Sequence, residues 1–276
     1  MRTSLTRKVA LAFGLAALAV LLLMSFFAPE NLSTPTALIG GEKGPLEVPP
    51  FGTDERGIPL LEYAMQGASI VTLPSLVSGA VVMLLATVAG LVRCAGLTWV
   101  DSVIQFGSEL VGSLPRLVVV LVVALVLPVD WKTLLPIGIT WALLAAPGAM
   151  DEAAATAGRL GGERFVEALR AHGFSGVRIY LYHVVWMNLR PVIVRQGAEV
   201  TMQVVFLEIA LSYLALRRNE PSFTHSAAEF SWATLLYQGY TALLGSPLLH
   251  SLFTGLGLVA LTAGMAQALR VAARAR

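Results

Sequence analysis

The stretch Glu163-Arg-Phe-Val-Glu-Ala-Leu-Arg-Ala-His-Gly-Phe-Ser-Gly-Val-Arg-Ile-Tyr-Leu-Tyr-His183 is a polar island between two apolar segments. Glu163, Glu167 and Arg170 fall at i, i+4 and i+7, on one face of a helix, and Phe165, Val166 and Leu169 supply an apolar side. Gly173 lets the backbone turn where a Cβ would obstruct. The pattern predicts two short helices joined at a glycine break and lying along a surface. From the residues alone, such an island is either an amphipathic connector resting on lipid headgroups or a docking surface for a soluble partner.

The rest of the chain explains why an island stands out. Of its 276 residues, 56% are hydrophobic and only 13% charged, against about 25% charged in an ordinary soluble domain. Mean hydropathy is +0.74. These values place the chain among membrane proteins. The net charge of +2 says little; where the charges sit says more. Cys94 is the single cysteine and lies among apolar residues, so there is no disulfide framework. It reads as a small packing residue, not a nucleophile or ligand.

A membrane span needs about 20 mostly apolar residues. Val9–Ala28 qualifies. It follows Arg2, Arg7 and Lys8 as a signal peptide would, but its apolar run is long and no small-x-small cleavage site follows, so it reads as a retained anchor. Further spans are expected over Ile70–Val92, Val103–Leu127, Leu134–Met150, Val192–Leu216 and Leu248–Leu269. The predicted fold is an all-α integral membrane protein of six transmembrane helices. Its expected parts are a tail and first anchor (1–28), an external segment (29–69), and a five-helix core (70–276) with a loop at about 151–190. With the N-terminus inside, 13 Lys and Arg fall in inside loops and 5 outside, with Arg116 in a span. The positive-inside rule therefore puts the island and both termini in the cytoplasm.

A resemblance rests on four patches in order. Glu167-Ala168 with Gly173, then Ser175, Arg178-Ile179 and His183 ahead of a span, resembles the cytoplasmic coupling loop of ABC-transporter permeases, nearest the dipeptide/oligopeptide/nickel family. Gly52-Thr53-Asp54-Glu55-Arg56-Gly57 is similar to the Gly-Thr-Asp-x-x-Gly segment those permeases carry between their first two spans. Trp99-Val100-Asp101 leading to Leu114-Pro115 is the third patch. Glu208-x-x-Leu211-Ser212-Tyr213-Leu214-x-Leu216, with Trp232 downstream, is the fourth. The departures mark a divergent member. Ile58-Pro59 stand where Arg-Asp is usual, Leu169 where a second Ala is, Val185, Trp186 and Met187 after His183 with Asn188 one place late, and Ala266-Gln267 near the end.

The resemblance implies an importer type I permease fold in a bacterial inner membrane, with coupling helices between spans 4 and 5. It implies that five core helices line half of a pathway for a small solute, most often short peptides. A second homologous permease, usually a different chain, would supply the other half. Two cytoplasmic ATPase subunits would carry the ATP and Mg, and an external solute-binding protein would dock on the segment 29–66, which otherwise packs over the bundle as a lid. By the same resemblance Glu167 orients the coupling helix, Gly173 makes the bend, and Phe174, Val177 and Ile179 anchor apolar contacts to the ATPase.

Several other residues admit more than one reading. Glu152-Ala153-Ala154 with Gly158 fits the coupling pattern by letter, but it lies far from the fifth span and lacks the Arg178-Ile179 and His183 that follow. Gln105, Glu109 and Arg116 lie within the third span. Either they form a polar wall of a pathway, or they snorkel or pair to fix helix packing, and the packing reading is preferred. Glu199 and Glu208 raise the same question on the fifth span, with helix packing near the outer end expected for Glu208. The four His do not cluster as metal ligands. No Gly-x-x-x-x-Gly-Lys-Ser/Thr occurs, so ATP hydrolysis is not expected in this chain. No His-Glu-x-x-His occurs and no Ser/His pair has supporting context, which leaves an intramembrane protease a weak alternative. Nothing points to nucleic acid. An ATPase-coupled subunit for export or mechanical work, and a non-transporting scaffold, remain as alternatives.

Overall fold

The computed structural model describes residues 2–29, 41, 43–128, 131, 133–162, 165–218, 231–242 and 249–273. Apart from one isolated antiparallel bridge between Thr53 and Pro59, the described residues form helices and their connections. The elements are α1 (Arg2–Phe26), α2 (Leu60–Cys94), α3 (Thr98–Gly112), α4 (Arg116–Val126), α5 (Leu134–Gly162), α6 (Phe165–Ala171), a wide helix π1 (Arg178–Leu189), α7 (Arg190–Arg218), α8 (Trp232–Ala242) and α9 (Leu249–Ala273).

The helix ends follow local chemistry. α2 begins behind Pro59, whose extended backbone and missing N–H suit a helix start. It begins at Leu60, well before the Ile70 at which the second span is expected. Pro74 lies inside α2, and the Ser78 hydroxyl donates to the Pro74 carbonyl at 2.8 Å. Gly96, at φ 72°, stops the helix, and its N–H donates to the Arg93 carbonyl. α3 and α4 are separated at Ser113–Pro115 and bent by 79°, because Pro115 lacks the N–H that would continue the ladder. The expected third span is therefore a broken pair. α5 runs on past Met150 to Gly162.

Small residues bring the helices together and fix their directions. Across α2 and α5, Gly138 sits near Pro74 and Ser78, Gly90 near Ala153 and Gly158 near Arg93, so the two helices run parallel. The chain between them must return across the bundle, and α3–α4 does so. Ser108 approaches Met150, Gly112 faces Pro147, and Val120 and Ala124 join Ile137, Leu144, Leu207 and Leu211 in a second apolar cluster. α7 runs antiparallel to α2 at a close approach of Gly79 and Gly197. A Cβ on Gly79 would lie 2.8 Å from the Gly197 carbonyl oxygen, so only glycine fits. α1 and α9 run antiparallel, with Gly14 against Ala268 and Leu21 sharing a cavity with Thr262. Residues 2 and 273 therefore come to one end.

By length and composition, four described helices can cross a membrane, within Lys8–Phe26, Leu60–Cys94, Leu134–Arg159 and His250–Ala273, and the bent α3–α4 pair makes a fifth. The span expected over 192–216 falls on α7, which carries Arg190, Arg195, Glu199 and Glu208 and is not among them. This is the make-up of a multi-pass membrane protein. Its core centres on the fully buried Tyr63, Leu60, Trp232, Ile179 and Leu189.

Candidate functional site

The polar island forms an elbow at the bundle end that also holds residues 2 and 273. α6 closes in a Schellman turn. The Phe174 N–H donates to the Leu169 carbonyl and the Gly173 N–H to the Arg170 carbonyl. Gly173 takes φ +79°, which L side chains rarely adopt. Phe174 and Leu169, the apolar pair that accompanies such turns, both lean on the main core. Ser175 Oγ then accepts the Arg178 N–H at 3.4 Å, just ahead of the next helix. Gly158, by contrast, lies within unbroken α5, and Glu152 pairs there with Arg195 and Gln196 of α7. The glycine break is therefore at 173, not 158.

The second helix is not a separate surface helix. π1 is wound one residue wider than an α-helix, its end marked by the Arg190 N–H donating to the Val185 carbonyl, and it continues directly into α7. Its buried residues are Ile179, Val184 and Leu189, spaced by five. Its outward residues, Leu181, Tyr182, Trp186 and Met187, repeat the same spacing and are each half exposed or more. A spacing of five in the sequence was the signal for this winding, since an α-helix would scatter those residues round its circumference.

Contacts between the two arms hold the elbow's shape. Arg170 donates to the Tyr180 hydroxyl at 3.0 Å. The Arg178 guanidinium lies 4.9 Å over the Phe174 ring, and Arg190 lies equally close to Trp186. His183 meets Phe174 and Tyr182 edge-on. Glu167, Ala168, Arg170, Gly173, Ser175, Val177 and Arg178 are all exposed. Two expected anchors differ. Ile179 is fully buried in the protein's own core, and Phe174 is half-buried beneath Arg178; Val177, 70% exposed, alone of the three faces out. Leu181, Tyr182, Trp186 and Met187 are outward residues that the sequence reading did not select. Glu163 lies outside the described residues.

The Gly-Thr-Asp segment makes the opposite arrangement. Gly52 at φ +84° lets the chain pass close to Lys43, and Gly57 at φ +78° completes a tight turn. Asp54 is 1% exposed. One carboxylate oxygen accepts the Arg56 and Ile58 N–H groups at 2.9 and 2.8 Å. The other accepts the Tyr63 hydroxyl at 2.9 Å and Arg56 Nε at 3.3 Å. Partial burial disfavours the Arg56 charge, but the Tyr63 oxygen and the Asp54 carboxylate outweigh it and raise the guanidinium's pKa above its ordinary value. Thr53 Oγ1 accepts the Lys43 N–H at 2.9 Å, and His250 Nε2 lies 2.9 Å from the Thr53 carbonyl. The loop thus ties the start of α2 to the start of α9.

A polar line crosses the bundle between these ends. Trp141 of α5 donates to Gln203 of α7 at 2.9 Å, Gln203 donates to Glu199 at 3.4 Å, and Glu199 pairs with Arg270 of α9 at 3.6 Å. Glu199 therefore links helices. Asp101 pairs with Arg93 at 2.8 Å across the α2–α3 turn. Glu208 is fully buried, accepting the Ser212 hydroxyl at 2.7 Å on one oxygen while the other has no partner among the described residues. Trp232 donates to the Ala64 carbonyl at 3.0 Å above Gly67. Gln105, Glu109 and Arg116 are exposed on the outer side of α3–α4, and no Glu109–Arg116 pair forms. Among the described residues, no His, Cys, Asp and Glu group is arranged to hold a metal; His225 lies outside them. No protein-family model matches the chain, and no curated protein is similar to it.

Proposed function

We propose that this chain is a transmembrane subunit of an ATP-driven transporter of the ABC permease type, with six crossings of a bacterial inner membrane and both termini in the cytoplasm. It forms half of a pathway for a small solute, short peptides first among them, and a second membrane subunit forms the other half. The observation that carries this reading is the elbow. An exposed polar helix, a left-handed glycine and an outward aromatic face lie at one end of an otherwise apolar bundle, and π1 runs without a break into α7. A push on such an elbow moves a long helix rather than a loose loop, as rigid-body switching requires.

In this reading Glu167, Arg170 and Arg178 make the polar contacts to a cytoplasmic ATPase that binds ATP and Mg. Val177, with Leu181 and Trp186 beside it, supplies apolar contact. Gly173 sets the angle between the arms. The chain itself does no hydrolysis. The buried state of Thr53 and Asp54 favours a second reading of the same class, an ATPase-coupled subunit working without an external binding protein, because the segment that would dock one turns its distinctive side chains inward.

Purification of the tagged chain from its native membranes in mild detergent, with mass spectrometry of every co-purifying chain, tests both. An ATPase, a second permease and a soluble binding protein together support import. An ATPase without a binding protein supports the second reading. Absence of any ATPase overturns both and leaves a non-transporting scaffold.

A further inference from the structure

The cavity shared by Leu21 and Thr262 lies between α1, α2, α7 and α9 and leaves about 10 Å³, the space of a single water. α1 contributes Leu18 and Leu21 to its wall, but the wall is not apolar throughout. Thr72 and Ser75 of α2, Thr201 of α7 and Thr262 of α9 also line it, and all four are buried. Thr72 lies well inside the 35-residue α2, at a depth where bulk water does not reach to satisfy a polar group.

Three of these hydroxyls already use their proton within their own helices. Ser75 donates to the Thr72 carbonyl at 3.1 Å, Thr201 to the Gly197 carbonyl at 2.9 Å and Thr262 to the Val259 carbonyl at 2.7 Å. Each of the three oxygens still has a lone pair free to accept. Thr72 differs. It is 4% exposed, and its hydroxyl has no partner among the described residues. A buried hydroxyl left unpaired is costly.

The chemistry of the wall selects what fits. A water brings two donors for the accepting oxygens and an acceptor for Thr72. An apolar molecule would leave the Thr72 hydroxyl unpaired. No residue that lines the cavity is charged, so a cation would enter without a counter-charge.

We propose that this cavity binds one water molecule, which accepts the Thr72 hydroxyl proton and donates to two of the Ser75, Thr201 and Thr262 oxygens. Any two of those three include one from α7 or α9, so the water ties α2 to a neighbouring helix behind α1. The site is internal to this chain and does not rest on the transporter reading.

The first test is electron cryo-microscopy of the unaltered chain in lipid nanodiscs, at a resolution that shows ordered water. One density peak should stand about 2.8 Å from Thr72 Oγ1 and from two of the other hydroxyl oxygens. A cavity without density overturns the proposal, and so does a peak that appears only when sodium is present, which marks a cation. The second test is Thr72→Val, which keeps the branched shape and removes the hydroxyl. With water bound, the variant leaves it one partner short, and the melting temperature of the detergent-purified chain should fall by about 3 °C. In a dry cavity the same change removes an unpaired buried hydroxyl, so a melting temperature that holds or rises overturns the proposal. Should Thr72→Val fail to fold, the density in the unaltered chain decides.

Discussion

The Gly-Thr-Asp loop and the elbow are both polar, both turn on left-handed glycines, and both sit at an end of the helix bundle, yet they face opposite ways. In the loop, Thr53 and Asp54 are sealed, and the Asp54 carboxylate accepts four hydrogen bonds from its own neighbours. In the elbow, Glu167, Arg170 and Arg178 are exposed, while Val166, Ile179, Val184 and Leu189 are buried. A polar residue that satisfies itself within the fold stabilises it and has little left to offer another molecule. A polar residue held rigidly in the open contributes little stability and is available for recognition. By that measure the loop is a clamp, and the elbow is the face we propose for docking.

Substitutions can break this contrast, and the largest effect should be at Asp54. Asp54→Ala leaves the Arg56 and Ile58 N–H groups and the Tyr63 hydroxyl without their acceptor, which should cost about 3 kcal/mol. The detergent-purified protein should melt well below the unaltered chain, and an unchanged melting temperature would remove the clamp reading. Gly79→Val follows. Its Cβ meets the Gly197 carbonyl, a backbone atom that cannot swing away, so about 2 kcal/mol of stability should be lost through overpacking. Gly173→Val should cost about 1 kcal/mol for the left-handed backbone, since open space surrounds it, yet it should abolish stimulation of ATP hydrolysis by transported solute. Normal coupling in that variant would count against the elbow as a joint. Smallest in stability is Glu167→Lys, exposed and expected to leave melting unchanged, while recovery of the ATPase falls severalfold.

Much of this was legible in the sequence. The long apolar runs gave α1, α2, α5 and α9, and Gly173 was placed at the turn because glycine is the residue that a left-handed cap requires. Pro115 was visible too, but the run Arg116–Val126 is so apolar that the break before it was read through as one span. The direction of side chains was less legible. Ile179 and Val177 look alike as letters two positions apart, and only the winding of π1 sends one into the core and leaves the other outside. Asp54 could be recognised as part of a motif, but its four donors come from residues 56, 58 and 63 folding back over it, which no local pattern announces. Glu109 and Arg116 could be paired on paper at i and i+7 of a straight helix; the 79° bend at Ser113–Pro115 parts them.

The most direct test puts a photo-crosslinking amino acid at Val177, exposed on the elbow, and at Ile179, buried two residues on, and irradiates native membranes before purification. The Val177 probe should capture a nucleotide-binding subunit bearing a Gly-x-x-x-x-Gly-Lys-Ser/Thr loop, and the Ile179 probe only this chain. Capture of lipid alone at Val177, with no ATPase, would contradict it and return the elbow to an amphipathic connector lying on headgroups.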